Sequence, residues 1–408
     1  MADKRDLPTE SDVARVFTPA TPVHDDDLFA GRIEQLRRVI DAVFQPGQHV
    51  VVFGERGVGK TSLANVLEYR IGSSHSSLLA ARINCDATDN YGTLWKKAFD
   101  QIERVASRRP PGFTAPLQHT ITKASASLSS SATPDEVRRA LDDLAQSMTV
   151  YVILDEFDKL ANKHARRAVA DTVKTLADHD CGATLVIVGV ADNIDTLISD
   201  HASIERNLVQ VEMPRMTTSE VAEIVRNGMK KLRMEIDDDV VRGIALIAQG
   251  LPHYAHLLGS YATRSALDSD RGRVALADLT ASIKSAVGDR AANLQSEYRR
   301  ATESQQPDNL YAIVLLACAM ATCDEFGYFG AGAVASPLSG LRSQRVEVPS
   351  FSRHLKEFTS ARRGTVLRRT GEKRHYRYIF NSPLMQPYIL MKGIAGGQIG
   401  LADIRARD

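Results

Sequence analysis

Gly54-Glu55-Arg56-Gly57-Val58-Gly59-Lys60-Thr61 follows directly on the apolar run His49 to Phe53, and Leu63 to Arg70 beyond it has helical composition without Gly or Pro. A buried strand, a glycine-rich loop and a helix in that order suit a polyphosphate, which needs several backbone N–H groups aimed inward, a cation and a hydroxyl. Gly54, Gly57 and Gly59 let the loop curl around the anion. Glu55, Arg56 and Val58 complete the loop, and Ser62 follows it into the helix. Lys60 is placed to reach the β- and γ-phosphates. Thr61 offers its hydroxyl to Mg²⁺ at a helix start whose positive dipole end faces the anion. The stretch predicts a nucleoside triphosphate site of the Walker A kind.

Its second half is Tyr151-Val152-Ile153-Leu154-Asp155-Glu156, an apolar strand that delivers two carboxylates at its C-terminal end. Parallel α/β sheets place ligands at that end. Asp155 is expected to bind Mg²⁺ through water, and Glu156 to polarise the attacking water, the division of labour that hydrolysis requires.

Further strands and helices alternate around these two. Leu78 to Asn84 reads as a strand, and Gly92 to Ala106 as an amphipathic helix with Leu94, Trp95, Ala98, Phe99, Ile102 and Val105 at core spacing. Ser107 to Thr133, with three prolines and a Ser/Ala run, predicts an exposed insertion. Thr133 is placed to cap a helix over Pro134 to Ser147. A helix over Lys163 to Asp178, a strand over Ala183 to Val188, a fifth strand over Leu208 to Val211 and a helix over Thr217 to Leu232 follow. Five strands with intervening helices predict a parallel α/β sheet.

The chain has 408 residues, which predicts two or three domains. A formal charge of +1 excludes a globally basic coat, so any cationic surface must be local. Cys85, Cys181, Cys318 and Cys323 lack Cys-x-x-Cys spacing and read as reduced core thiols. Met1 to Asp12 is charged and polar, with no apolar leader, and Tyr311 to Ala321 is too short to span a bilayer. A cytoplasmic protein without membrane partners is the expectation.

With these residues in view, the chain resembles an AAA+ ATPase of the replication-initiator (origin-recognition) and STAND-like kind, over residues 24 to 290 with specific motifs and 305 to 392 with less specific ones. Leu28-Phe29-Ala30-Gly31-Arg32 resembles the motif that lines the adenine in that clade, which implies roles for Phe29, Gly31 and Arg32. Asn84-Cys85 fits the end of the second strand. After Gly189 the family places a polar residue that senses the γ-phosphate; here Asp192 and Asn193 share that place, and either can serve. Arg206 falls where such proteins keep an arginine finger for a neighbour's site. It can equally pair on its own surface with Glu205 or Asp200. Gly250-Leu251-Pro252-His253 resembles the Gly-x-Pro form of the lid motif, with His253 where an arginine often stands; His256 reads as packing.

The C-terminal part reads as helix (Leu310 to Thr322), short helix (Leu338 to Gln344), helix (Ser350 to Ser360) and a two-stranded hairpin within Gly364 to Phe380, the order of a winged helix. Between Arg353 and Arg377 stand nine cations (Arg353, Lys356, Arg362, Arg363, Arg368, Arg369, Lys373, Arg374 and Arg377) against two acids, Glu357 and Glu372. That excess suits phosphate contacts.

The resemblance thus implies an α/β P-loop fold, with a flexible arm over 1–23, an ATPase base over 24–213, a helical lid over 214–290, a linker over 291–306, a winged helix over 307–392 and a tail over 393–408. It implies ATP and Mg²⁺ as cofactors, slow hydrolysis, a homo-oligomer in the ATP state, and nucleotide-controlled binding of double-stranded DNA. The other reading is a STAND-like signalling switch, in stress or phage-defence settings, that acts on a protein effector while the winged helix is structural.

Overall fold

The computed structural model describes residues 7–19, 31–74, 78–107, 121, 131–191, 197, 204–288, 292–305, 309–372 and 375–406. Two compact units emerge, one of Val23–Glu55 with Gly59–Met213, the other of Met1–Pro22, Arg56–Val58 and Pro214–Asp408.

The first unit holds the sheet. Helix α2 (Ile33–Val43) leads into β1 (His49–Gly54), α3 (Lys60–Ser74), β2 (Leu78–Asn84), α4 (Tyr91–Ser107), α5 (Pro134–Ala145), β3 (Thr149–Asp155), α6 (Lys163–Asp178), β4 (Ala183–Val190) and β5 (Leu208–Glu212). The five strands pair in parallel in the order β2-β3-β4-β1-β5. The apolar runs of β1, β3 and β4 are nearly continuous because helices cover both faces of the sheet, and every residue of β1 is buried. Val150, Val152 and Leu154 of β3 join Leu94, Trp95 and Phe99 of α4 in one core, where Trp95 is fully buried. The Thr133 cap forms as a capping box with Glu136, and Pro134 occupies the first turn of α5. Most of the expected insertion between 107 and 133 lies outside the described residues; Ile121 within it is buried in the core.

The second unit is mainly helical. Its helices are α1 (Glu10–Val16), α7 (Thr218–Leu232), α8 (Asp238–Ala248), α9 (Pro252–Asp268), α10 (Leu276–Gly288), α11 (Ala292–Thr302), α12 (Tyr311–Met320), α13 (Ala331–Arg342), α14 (Val348–Phe358) and α15 (Met385–Ala395). Short strands β6 (Glu235–Ile236) and β7 (Arg273–Val274) pair in parallel. Strands β8 (Phe329–Gly330), β9 (Leu367–Thr370) and β10 (Arg377–Phe380) form an antiparallel sheet in the order β8-β10-β9.

Four expectations are corrected here. The arm over 1–23 contains α1, and Val13 and Phe17 are buried, because these two apolar side chains stand four apart on one face. The linker over 291–306 is largely α11, which packs on α12 and α15 and buries Ala301. The tail over 393–408 is anchored, since Ile399 and Ile404 are buried and Leu401 lies against Gly243 of α8. Helix α13 also begins seven residues before the expected Leu338, with Val334 and Leu338 as its buried face.

Candidate nucleotide site

The loop after β1 is shaped by backbone constraints. A side chain on Gly54 would place its Cβ 2.4 Å from the Met213 carbonyl oxygen, and Met213 N–H donates to Phe53 O at 2.8 Å, so only glycine lets the chain leave the strand here. Gly57 and Gly59 have φ of 91° and 98°, which a Cβ would strain. Lys60 opens α3, is buried, and folds its ammonium back to donate to the carbonyls of Gly54 (2.9 Å) and Glu55 (2.7 Å).

Strand β3 carries Asp155 to the same end of the sheet, because β3 and β1 both run parallel to β4. Asp155 is 2% exposed. Its Oδ1 accepts from the Glu156 N–H at 2.8 Å and from the Thr61 hydroxyl at 3.5 Å, while Oδ2 is buried with no donor among the described residues. Burial raises the Asp155 pKa; the Glu156 N–H, the Arg82 guanidinium and the Thr61 hydroxyl oppose that rise. A carboxylate oxygen left without a donor beside a threonine hydroxyl fits a hard divalent cation with water ligands. The residues present therefore suit Mg²⁺, which Thr61 and Asp155 would hold.

Glu156 adopts a left-handed backbone (φ 56°, ψ 35°), and its carboxylate accepts from Lys159 Nζ at 2.6 Å. The turn is fixed from below by Phe157, fully buried, and from the side by Asp158, whose Oδ1 accepts from the Val190 N–H at the end of β4 at 2.7 Å. Arg166 of α6 donates to the carbonyls of Asp158 and Leu160. Cys85 N–H donates to Asp155 O at 2.8 Å, which continues the pairing of Asn84 with Asp155. Burial pushes the Cys85 thiol up to about 12, so it is unreactive packing.

Of the remaining residues singled out by sequence, Gly31 takes φ 70° and Arg32 is buried at the start of α2. Phe29, Asp192 and Asn193 lie outside the described residues. Arg206 sits on a single 3-10 turn, 80% exposed, with Asp178 of α6 at 3.9 Å. Pro252 opens α9 in the second unit, and His253 is bonded to Pro19 O at 2.8 Å.

The nine C-terminal cations divide. Arg363 is a correction: it is 7% exposed, stacks 3.6 Å over the Tyr311 ring and donates to the carbonyls of Ala301 and Glu303, so it holds the fold and is withdrawn from any phosphate. Arg353 is paired with Glu357 at 2.9 Å one turn on, and Arg377 with Asp324. Lys356, Arg362, Arg368 and Arg369 are exposed, with Arg369 lying 4.1 Å over Tyr376 and Arg368 donating to the Tyr328 hydroxyl at 3.2 Å. Lys373 and Arg374 lie outside the described residues.

Sequence reasoning missed Lys159, Asp158 and Arg82 around the carboxylates. A basic residue three positions after Glu156 was the available signal for the first. Residues 29–188 match the AAA ATPase domain family. This stretch is an AAA ATPase domain. No curated protein sequence matches the chain. Among solved structures, the AAA ATPase fold is similar to that of the Walker-type ATPase of Pyrococcus abyssi, at 15% identity over 91% of this chain and 99% of that one, with a TM-score of 0.52. It is also similar to the ORC2 protein of Aeropyrum pernix, described as ADPNP and ADP complexes, at 15% identity over 94% and 98% of the two chains, with a TM-score of 0.50. Among the described residues, no helix is long and apolar enough to cross a membrane.

Proposed function

We propose that this chain binds ATP with Mg²⁺ at the loop of residues 54–62, hydrolyses it slowly, and uses its nucleotide state to control engagement of double-stranded DNA by a winged helix formed by residues 307–392. The observation that carries the nucleotide half is the buried Oδ2 of Asp155, without a donor among the described residues, beside the Thr61 hydroxyl.

Bound Mg²⁺ supplies Lewis-acid neutralisation of the phosphate oxygens. The chain's own residues do the rest. Lys60 exchanges the Gly54 and Glu55 carbonyls for phosphate oxygens, at little cost because its ammonium already points into the loop. Glu156 orients the attacking water once its carboxylate leaves Lys159; the exposed pair is worth under about 1 kcal/mol, so the exchange is easy. Arg206 is exposed, and its ion pair with Asp178 is long at 3.9 Å, so it can reach a neighbouring copy in an ATP-bound homo-oligomer.

The DNA half is supported by Lys356, Arg362, Arg368 and Arg369 facing solvent on α14, the turn after it and β9. Tyr376, under Arg369, adds an aromatic face for groove or sugar contacts. The test is binding of labelled duplex DNA by the unmodified chain and by Lys356→Glu/Arg369→Glu. The double reversal is expected to lose salt-sensitive binding. If the unmodified chain shows no DNA binding in any nucleotide state, the reading moves to a switch that acts on a protein effector.

A further inference from the structure

Helix α6 carries its charges against its own dipole. Lys163, His164, Arg166 and Arg167 crowd its first turns with no acid in the first turn, while Asp171 and Asp178 lie towards its C-terminal end, where the last turn holds no base. A helix N-terminus bears partial positive charge and favours acids, so this arrangement works against the helix. A local choice that opposes the fold marks side chains kept for another purpose.

Arg166 has a structural purpose. Its guanidinium donates to the carbonyls of Leu160 at 2.6 Å and Asp158 at 2.7 Å, which ties the first turn of α6 to the turn after β3. Asn162 caps the helix by accepting from the Ala165 N–H at 3.1 Å. Lys163, His164, Arg167 and, two turns on, Lys174 have no such task. All four are exposed, and among the described residues none of their side chains has a hydrogen-bond or ion-pair partner. By contrast, Lys97 is paired with Asp86 and Asp89, Arg139 with Asp135 and Lys159 with Glu156.

At about 3.6 residues per turn, Lys163, Arg167 and Lys174 fall within about 40° of one another, on a stripe about 16 Å long. Asp171 stands beside that stripe, and Asp178 at its far end is paired with Arg206. Each strand of a DNA duplex presents one phosphate per about 3.4 Å of axis, so a stripe of this length spans about four of them. A peptide offers that charge density only in a run of acids, whereas a phosphate backbone offers it everywhere.

We infer that Lys163, Arg167 and Lys174 of α6 form a surface for the phosphate backbone of duplex DNA on the first unit. This goes beyond the reading above, which places the DNA contacts on residues 307–392. Contacts to phosphate position a duplex without reading its sequence, so this surface is indifferent to sequence.

The experiment titrates labelled duplex DNA over a salt series, with ATP and without, against four forms of the full chain. These are the unmodified chain, Lys163→Glu/Arg167→Glu, Lys356→Glu/Arg369→Glu, and all four changes together. Glutamates at the start of α6 favour the helix, so a urea midpoint at or above that of the unmodified chain shows that the first reversal folds. That reversal is expected to weaken binding at low salt by about tenfold or more and to lower the salt slope by about 1.8, equally for unrelated sequences. Lys163→Gln/Arg167→Gln, which removes the charges and adds none, is expected to give the same change of slope. The fourfold variant is expected to bind more weakly than either pair. Unchanged affinity and slope in the α6 variants overturn the stripe and leave the winged-helix reading standing. Loss in the α6 variants with none in Lys356→Glu/Arg369→Glu upholds the stripe and overturns the winged-helix reading. No duplex binding by the unmodified chain, with ATP or without, overturns both. A poly-glutamate peptide that displaces the duplex as well as unlabelled duplex of equal charge does assigns the stripe to an acidic protein and overturns the DNA assignment.

Discussion

Replacing Arg363 with alanine is expected to loosen the C-terminal part of the chain and leave the salt dependence of DNA binding where it was. The guanidinium is 7% exposed, sits 3.6 Å from the Tyr311 ring centroid and donates to two carbonyls at the end of α11. A desolvated cation–π contact contributes about 2 kcal/mol. A hydrogen bond from a charged donor contributes about 1.5–3 kcal/mol, and groups this close do not add. A net loss of about 3 kcal/mol follows. In urea, with a slope of about 1–3 kcal/mol per molar, the midpoint of the transition that includes α11 and α12 falls by about 1 M or more. Duplex binding titrated over a salt series keeps its slope, whereas Arg369→Ala flattens it by about 0.9. An unmoved urea midpoint together with a flattened slope for Arg363→Ala would show that this arginine faces phosphate, and the packing argument would be refuted.

Asp155→Asn is expected to keep nucleotide binding but lose its dependence on Mg²⁺, with turnover down by about a hundredfold or more; equal Mg²⁺ stimulation in both proteins would remove Asp155 from the cation site. Arg206→Ala is expected to leave stability within about 0.5 kcal/mol, since the residue is exposed, and to lower turnover only under conditions where the chain assembles. Unchanged turnover of the assembled variant would remove Arg206 from the mechanism. Acid lability follows from two buried histidines. His49, whose Nδ1 accepts from Leu185 N–H, and His256 are each pushed down to about 4 by burial. The unfolded chain takes up these protons near 6.5 and the folded chain does not. Their contribution is therefore whole above pH 6.5 and is lost as pH falls towards 4. At pH 5 each costs about 2 kcal/mol relative to pH 7.5, which denaturation at the two pH values measures. Equal stability at both would contradict the burial of neutral imidazoles.

The sheet was legible because its central strands β1, β3 and β4 are short runs rich in Val and Ile, kept apolar by helices on both faces. Val50 to Phe53 and Tyr151 to Leu154 are runs of strand length, rich in β-branched and aromatic residues. The loop was legible because phosphate chemistry demands glycines, a lysine and a hydroxyl at fixed places. What escaped was decided by tertiary packing. Val13 and Phe17 are two apolar residues in a polar, proline-punctuated stretch, too few to announce a helix until the Phe17 ring is seen against Gly228 of α7 and Gly259 of α9. The start of α13 was obscured by Gly332 and Pro337, which read as breakers although Val334 is buried. Counting cations could not separate Arg363, which props Tyr311, from Arg369, which faces solvent, because charge has no direction in a sequence. Glu156 was read as a free base, and its pairing with Lys159 depends on a left-handed turn that composition does not reveal.

The central claim is that nucleotide at the loop of residues 54–62 controls DNA engagement by the C-terminal cations. Its most direct test is the affinity of the full chain for labelled duplex DNA at two salt concentrations, with ATP, with ADP and without nucleotide, beside Lys60→Ala. The account predicts tight, salt-sensitive binding with ATP that weakens with ADP or no nucleotide, and a Lys60→Ala protein indifferent to added ATP. Affinity that is the same in all three states and unchanged by Lys60→Ala would contradict it.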